Sequence, residues 1–269
     1  MGFAIDLAAN EGWNPGLFDT DIFFGTDPGA FLIGFLGGKP VGCISAVSYT
    51  GGFGFIGFYI VLPEYRGRGV GFKLWERALE RLDDHNIGLD GVFEQQDNYS
   101  KSGFKLAYRN IRFEYRFRQM EAPPKAQILN ASDVQFDLIS EYDRLCFPVE
   151  RETFLSNWLK MPQSHAFVYA GGNRLEGYGL IRKCRVGYKV GPLFADDKDK
   201  ALALFMRLCS CVEPGHHVYL DVPEVNSAGI ELAGELETTK VFGTARMYTG
   251  ALPDIRTDKI YGVTTFELG

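Results

Sequence analysis

Apolar positions along this 269-residue chain fall into helix-like and strand-like runs, and the runs recur in the same order twice. In the first half, residues 4–11 form a helical run that Trp13, Asn14, Pro15 and Gly16 bring to an end. Residues 31–35 and 41–49 read as strands, and Gly37, Gly38, Lys39 and Pro40 between them predict a hairpin. Residues 53–62 are almost wholly apolar, as in a central strand buried on both faces. From residue 70, Val70, Leu74, Trp75, Ala78, Leu79 and Leu82 share one stripe, with Lys73, Glu76, Arg77, Glu80 and Arg81 opposite, which predicts an amphipathic helix. A short strand over 87–92, a short helix or turn over 96–102 and a strand over 106–117 complete this half.

In the second half, Ser132 is expected to cap a helix running to residue 145, and a second helix spans 152–159. Strands over 165–169, 177–183 and 187–193 lead to a helix over 199–211, a strand over 217–222 and a helix over 227–236. Strands over 241–249 and 260–267 close the pattern. Each half thus reads as helices, a three-strand meander, helix, strand, helix, strand, the sign of a tandem duplication. Pro123 and Pro124 stiffen the segment Gln119–Lys125, which is the expected boundary between domains 1–120 and 126–269. The fold class is α+β.

Composition narrows the function classes. A 46% hydrophobic and 23% charged chain is globular, and a net charge of −6 with no basic run argues against nucleic acid as a partner. That charge is compatible with a cationic acceptor such as an amine, but solubility alone explains it. Cys43, Cys146, Cys184, Cys209 and Cys211 are odd in number, scattered and without a C-x-x-C pair. They predict neither disulfides nor zinc, and a reducing cytoplasm. No apolar run is long enough to span a bilayer, the N-terminus has no basic leader, and Asp6 departs from the myristoylation pattern. His216 and His217 are adjacent and lack further ligands at metal spacing, so no metal is expected.

The richest segment is Tyr59-Ile60-Val61-Leu62-Pro63-Glu64-Tyr65-Arg66-Gly67-Arg68-Gly69-Val70-Gly71-Phe72. A strand, a proline stop and a glycine-rich turn lead into a helix, which builds a backbone cradle for a phosphate. Residues 67–73 do not supply the G-x-x-x-x-G-K-[ST] pattern of a P-loop, and Phe72 replaces the third glycine of a dinucleotide fingerprint. What it matches is R-x-x-G-x-G, at Arg66, Gly69 and Gly71, after a strand ending Val61-Leu62-Pro63. With Tyr99-Ser-Lys-Ser-Gly103-Phe104 further on, the chain resembles the GNAT (Gcn5-related N-acetyltransferase) family over residues 31–115. The two-part layout is similar to a tandem subgroup with a degenerate second GNAT-like half.

The resemblance implies two domains, each a mixed, mostly antiparallel sheet flanked by helices, and acetyl-CoA as acyl donor without a metal. Backbone amides of Arg66, Gly67, Arg68, Gly69, Val70 and Gly71 would hold its pyrophosphate, with charge from Arg66 or Arg68. Ile60 and Val61 would pair with the pantetheine arm like an added strand. The family's neighbouring strands splay at this point, and Gly54 and Gly57 would loosen the packing there. Tyr99 would protonate the departing thiolate. Phe58, Tyr59 and Ile60 stand where some members carry a glutamate that acts as base, so the general base is unassigned; Asp90 on the next strand and Glu94 are candidates. Cys43, in an apolar strand, reads as core. The family's opening strand is missing or very short, with an N-terminal truncation left open, and the stretch between Leu89 and Tyr99 is shorter than usual.

The corresponding loop of the second half, residues 195–200, has no glycine and carries Asp196, Asp197 and Asp199. Carboxylates repel a phosphate, so no acetyl-CoA is expected there. The chain is expected to acetylate a primary amine, on a small molecule or a protein, by direct attack and without a covalent enzyme intermediate. Transfer of another acyl group or to an O-acceptor, and a non-catalytic acyl-CoA sensor, are the alternatives. Neither nucleic acid nor membrane is an expected partner, and a homodimer is left open.

Overall fold

The computed structural model describes residues 1–118, 127–172 and 174–269, so the expected boundary Gln119–Lys125 lies outside the described residues. The first half contains α1 (Gly2–Asn10), α2 (Asp19–Thr26), β1 (Phe31–Leu36), β2 (Lys39–Tyr49), β3 (Phe53–Val61), α3 (Val70–Arg81), β4 (Asn86–Val92), α4 (Gln96–Lys101) and β5 (Lys105–Arg116). The second contains β6 (Ile128–Asn130), α5 (Phe136–Cys146), α6 (Glu152–Leu159), β7 (Ser164–Gly171), β8 (Arg174–Lys183), β9 (Tyr188–Ala195), α7 (Lys198–Cys209), β10 (His217–Pro223), α8 (Ser227–Glu235), β11 (Thr239–Tyr248) and β12 (Ile260–Gly262).

Two elements escape the apolar pattern. In α2 only Asp19 and Phe23 are buried, too few to mark a stripe, and β6 is three residues long. Ser132 does not cap a helix: it sits in a 3₁₀ turn (Ala131–Asp133), and α5 starts at Phe136 without a side-chain cap. The expected strand over 260–267 pairs only over Ile260–Gly262. Beyond it the backbone folds around Thr265, whose hydroxyl oxygen accepts from the amides of Glu267 and Leu268. Apolar alternation there reports burial, since residues 263–269 are all buried.

The strands join in one sheet, ordered β1-β2-β3-β4-β11-β5-β10-β9-β8-β7-β6, with β12 paired to β9. Pairing is antiparallel except for β3 with β4 and β9 with β10. The last long strand of each half lies in the other half's territory: β11 sits beside β4, and β5 sits beside β10. Their mutual pairing makes the two sheets continuous. Each exchanged strand is fastened by a buried ion pair directly across the ladder. Arg246 on β11 opposes Asp90 on β4, and Arg112 on β5 opposes Asp221 on β10. Both pairs are two-pronged, with contacts of 2.6–3.0 Å and 2.6–2.7 Å.

Helices cover both faces of the first half. The stripe of α3 (Leu74, Trp75, Ala78) packs with Leu82 on Ile44, Ala46 and Ile56. The opposite face, with Cys43, Val47 and Phe55, receives α1, Phe23 of α2, and Phe154 and Trp158 of α6. In the second half, α7 and α8 pack on β9 and β10.

Candidate active site

An extra residue in β3 makes the site. The β2–β3 ladder pairs Ser45 with Gly57 but Cys43 with Ile60, so β3 bulges by one residue, and Phe58 takes φ = 48°. A bulky residue at positive φ is strained and persists only where its surroundings hold it. Because strand side chains alternate faces, the insertion changes their parity. Phe53 and Phe55 face the α1 side before the bulge, and Phe58 and Ile60 do so after it, which turns Tyr59 toward α3. The parallel ladder to β4 stops at the same place, its last pair being Ile56 with Leu89. The parted strands open a cavity of about 560 Å³.

Of the two glycines expected to loosen this region, Gly54 makes room for Leu82 at the end of α3, and Gly57 stands at the opening itself. Cys43 is buried, and its thiol donates to the Phe58 carbonyl at 3.1 Å; burial pushes its pKa up to about 12, so it is a neutral core thiol.

Below the cavity mouth the chain turns into α3. Gly67 and Gly69 hold φ = 75° and 77°, with open space where a side chain would stand. Gly69 is the N-cap and supplies no side-chain acceptor, so the first amides of α3 carry the helix's partial positive charge unneutralised by a cap. Gly71 lies under Tyr59, whose Oη would be 2.8 Å from any Cβ there. Arg66 donates from Nε to the Val61 carbonyl at 2.8 Å and pairs with Glu11 at 2.5 Å, while Arg68 lies over the Tyr65 ring. The cradle is therefore mainly backbone. Leu62 donates to Val41, so by the alternation of an antiparallel ladder Ile60 is committed to Cys43 on β2. Of the two expected pantetheine partners, Ile60 has its polar groups turned toward β2, while Val61 faces the open edge with its carbonyl taken by Arg66.

Tyr99 stands in the cavity wall. Its ring packs against Trp75, which also meets Tyr59, and covers Gly91 so closely that no side chain fits at that glycine. Burial first, then the neighbouring Tyr59 phenol, pushes the Tyr99 pKa well up, so it holds its proton at neutral pH. Asp90 lines the cavity but its oxygens are spent on Arg246 and Asn110, and Glu94 is exposed on a turn. Asp90 is thus engaged, and Glu94 is not among the residues that line the cavity.

The far wall comes from elsewhere in the chain: Trp13, Phe242, Thr244, Phe266 and Glu267. No local pattern marks them, because they converge only through the exchange of β11 and the path of the C-terminal segment. After β12 that segment runs across the sheet. Tyr49 donates to the Leu268 carbonyl at 2.9 Å, and Arg151 to the Gly269 carbonyl at 3.1 Å.

The second half has the same parting of strands with different contents. The β9–β10 parallel ladder ends at Val190 with Leu220, and β12 enters beyond it, pairing with β9. Gly191, just past the last pair, would place a Cβ 2.5 Å from the Thr264 carbonyl. At the start of α7 the Asp197 carboxylate accepts from the Lys200 amide at 3.0 Å, and Asp196 is held by Tyr142, Arg174 and Lys259. Among the described residues no group of three or more His, Cys, Asp or Glu could hold a metal, and no helix is long and apolar enough to cross a membrane.

A strand bulge, a parted parallel ladder and a glycine-led helix start define an acyltransferase of the GNAT type. Family models agree: one described as acetyltransferase (GNAT) family matches residues 4–104, and one described as acetyltransferase (GNAT) domain matches 139–262. The chain belongs to the GNAT family, with two such domains in tandem, and is an acyl-CoA-dependent acyltransferase. It is 32% identical over 265 residues to holothin acyltransferase of Pseudoalteromonas sp. (strain SANK 73390), covering 98% of this chain and 90% of that one. The solved structure of a Pyrococcus horikoshii protein assigned as an acetyltransferase superposes with a TM-score of 0.81 at 25% identity, over 93% of this chain and 84% of that one. A tandem GNAT protein from the clavulanic acid biosynthesis pathway shares the fold, with a TM-score of 0.60 at 14% identity, over 93% and 94%.

Proposed function

We propose that this enzyme transfers an acetyl group from acetyl-CoA to a primary amine on a small molecule, within the first half, residues 1–120. The observation that carries the reading is the cavity between β3 and β4, with the uncapped start of α3 at one end and a buried, protonated Tyr99 in its wall. In this reading the amides from Arg66 to Gly71 bind the donor's pyrophosphate, and Val61 pairs with the pantetheine arm. The neutral amine attacks the thioester carbonyl carbon, the C–N bond forms and the C–S bond breaks. Tyr99 gives its proton to the sulfur, and the second proton on the new amide nitrogen restores the phenol.

The second half, residues 126–269, takes no acyl-CoA in this proposal. Its helix start is occupied by its own Asp197, and β12 lies in the gap that a pantetheine arm would enter. That half instead walls the acceptor cavity. A small acceptor is favoured over a protein amine because the cavity is walled by aromatic side chains from both halves, and the relative reported above is named holothin acyltransferase. That name says acyl, so other short acyl groups form the second reading. The setting is proposed to be cytoplasmic, from five free cysteines, without nucleic acid or membrane partners.

The test is thiol release from acetyl-CoA, and from longer acyl-CoAs, against a panel of small amines, alcohols and lysine peptides. Turnover with small amines and acetyl-CoA is expected. Turnover confined to alcohols, peptides or longer acyl donors would replace the corresponding part of the reading.

A further inference from the structure

An amine enters as an ammonium ion and must lose a proton before it can attack; of the two candidate carboxylates, Asp90 is held by Arg246 and Glu94 does not line the cavity. The carboxylate-bearing residues lining the cavity, among the described residues, are Glu11, Asp90 and Glu267. Glu11 is bound to Arg66 and Asp90 to Arg246. Glu267 differs: it is 3% exposed, yet its carboxylate has no hydrogen bond or ion pair among the described residues. Its oxygens are not among the sealed buried atoms that lack a partner, and the residue lines the cavity. Its backbone is fixed on both sides. The carbonyl rests against Gly57 at the parting of the strands, and the amide is held by Thr265.

We infer that Glu267, delivered by the C-terminal segment into the first half's cavity, is the general base that takes the acceptor ammonium's proton. The inference rests on the amine-acetylation reading above. Glu267 removes one proton, which passes to water; the freed nitrogen then attacks, and its second proton replaces the one that Tyr99 gives to the sulfur. The sum is ammonium plus thioester giving amide, thiol and one released proton.

The surroundings suit the role. The charged groups around the carboxylate are Lys189 from β9, Arg182 from β8, Arg112 from β5 and Asp19 from α2. The cations are mostly engaged elsewhere: Arg112 with Asp221, Arg182 with Asp19, and Lys189 with the Trp13 carbonyl at 3.1 Å. Burial outweighs their attraction and raises the Glu267 pKa, which makes it a stronger base than an exposed glutamate.

The experiment compares wild type, Glu267→Gln and Glu267→Asp in steady-state acetyl transfer to the best amine of the panel from pH 5 to 10, with acetyl-CoA binding and melting midpoint measured on each. E267Q is expected to lose about 10²-fold or more in kcat at neutral pH, with unchanged acetyl-CoA affinity and an unimpaired melt. Its rate should then climb with the free-amine fraction, without the wild-type limb set by the carboxyl, and E267D should recover part of the loss. Wild-type kcat and pH profile in a folded E267Q would overturn the assignment and leave the function standing. Should E267Q not fold, a wild-type profile in E267D that follows only the amine's own titration would overturn it likewise. A wild type silent toward every amine would overturn both readings.

Discussion

The carbonyl of Glu267 rests against Gly57, the residue at which β3 leaves β4. The last residues of the chain thereby close the cavity that the first half opens, and the two halves become parts of one site.

Replacing Gly57 with Ala should disturb both stability and acceptor binding. A Cβ there meets backbone, which cannot swing aside, and overpacking of this kind costs about 1–3 kcal/mol. A lower melting midpoint is expected together with a raised KM for the amine and an unchanged dissociation constant for acetyl-CoA. An unchanged amine KM would place the segment outside the acceptor site.

Tyr99→Phe keeps the ring packed on Trp75 and over Gly91 and removes only the proton. The variant should bind acetyl-CoA and melt as wild type does, while kcat falls by roughly 10²–10⁴-fold, the usual contribution of a positioned acid. Retained kcat would leave Tyr99 a packing residue.

Gly69→Ala strains a left-handed residue by about 1–2 kcal/mol without filling any contact space, so a weaker hold on acetyl-CoA is expected. Asp197→Ala in the second half is the matched control. Loss of that helix cap costs about 1 kcal/mol of stability and should leave acetyl-CoA affinity untouched. Calorimetric titration of both variants separates the two helix starts.

Asp90→Asn leaves Arg246 buried beside an uncharged partner, and breaking such a pair costs about 3–5 kcal/mol. Asp221→Asn should do the same to Arg112. Denaturant unfolding is expected to show comparable losses for the two, because they fasten exchanged strands in corresponding positions. A stable D90N with collapsed kcat would instead make Asp90 a catalytic group.

Two buried carboxyls give stability opposite pH slopes. Burial raises the Asp221 pKa, but Arg112 more than offsets this and holds it below the ordinary range. The stability it lends is present above about pH 3.9 and is lost as pH falls through its lower folded value. The Glu267 pKa is raised, so its contribution is full below about pH 4.3 and is lost as pH rises through its folded value. E267Q should therefore be at least as stable as wild type at neutral pH, with a flatter profile over that range. A lower midpoint for E267Q at pH 7 would contradict this.

Much of the glycine-rich end of the cavity was legible in the sequence. Gly67, Gly69 and Gly71 lie within one turn of each other, and the stripe from Val70 to Leu82 repeats every three to four residues, so both signals are local. The bulge at Phe58 was not legible. A residue forced to positive φ shows no compositional mark when it is a phenylalanine, and its cause is the ladder to β2. The strand expected over 260–267 failed for a related reason: burial from many directions makes an apolar run, whatever its backbone shape.

By itself, then, the sequence determined the repeated order of elements, the glycine-rich turn at the start of α3 and the short helix that carries Tyr99, because each depends on residues near one another in the chain. Only the tertiary structure decided that β5 and β11 change places, that Asp90 is spent on Arg246, that β12 lies in the second half's gap and that Glu267 stands in the first half's cavity. Those arrangements join residues far apart in the chain, and which of them meet is set by the packing of the whole sheet.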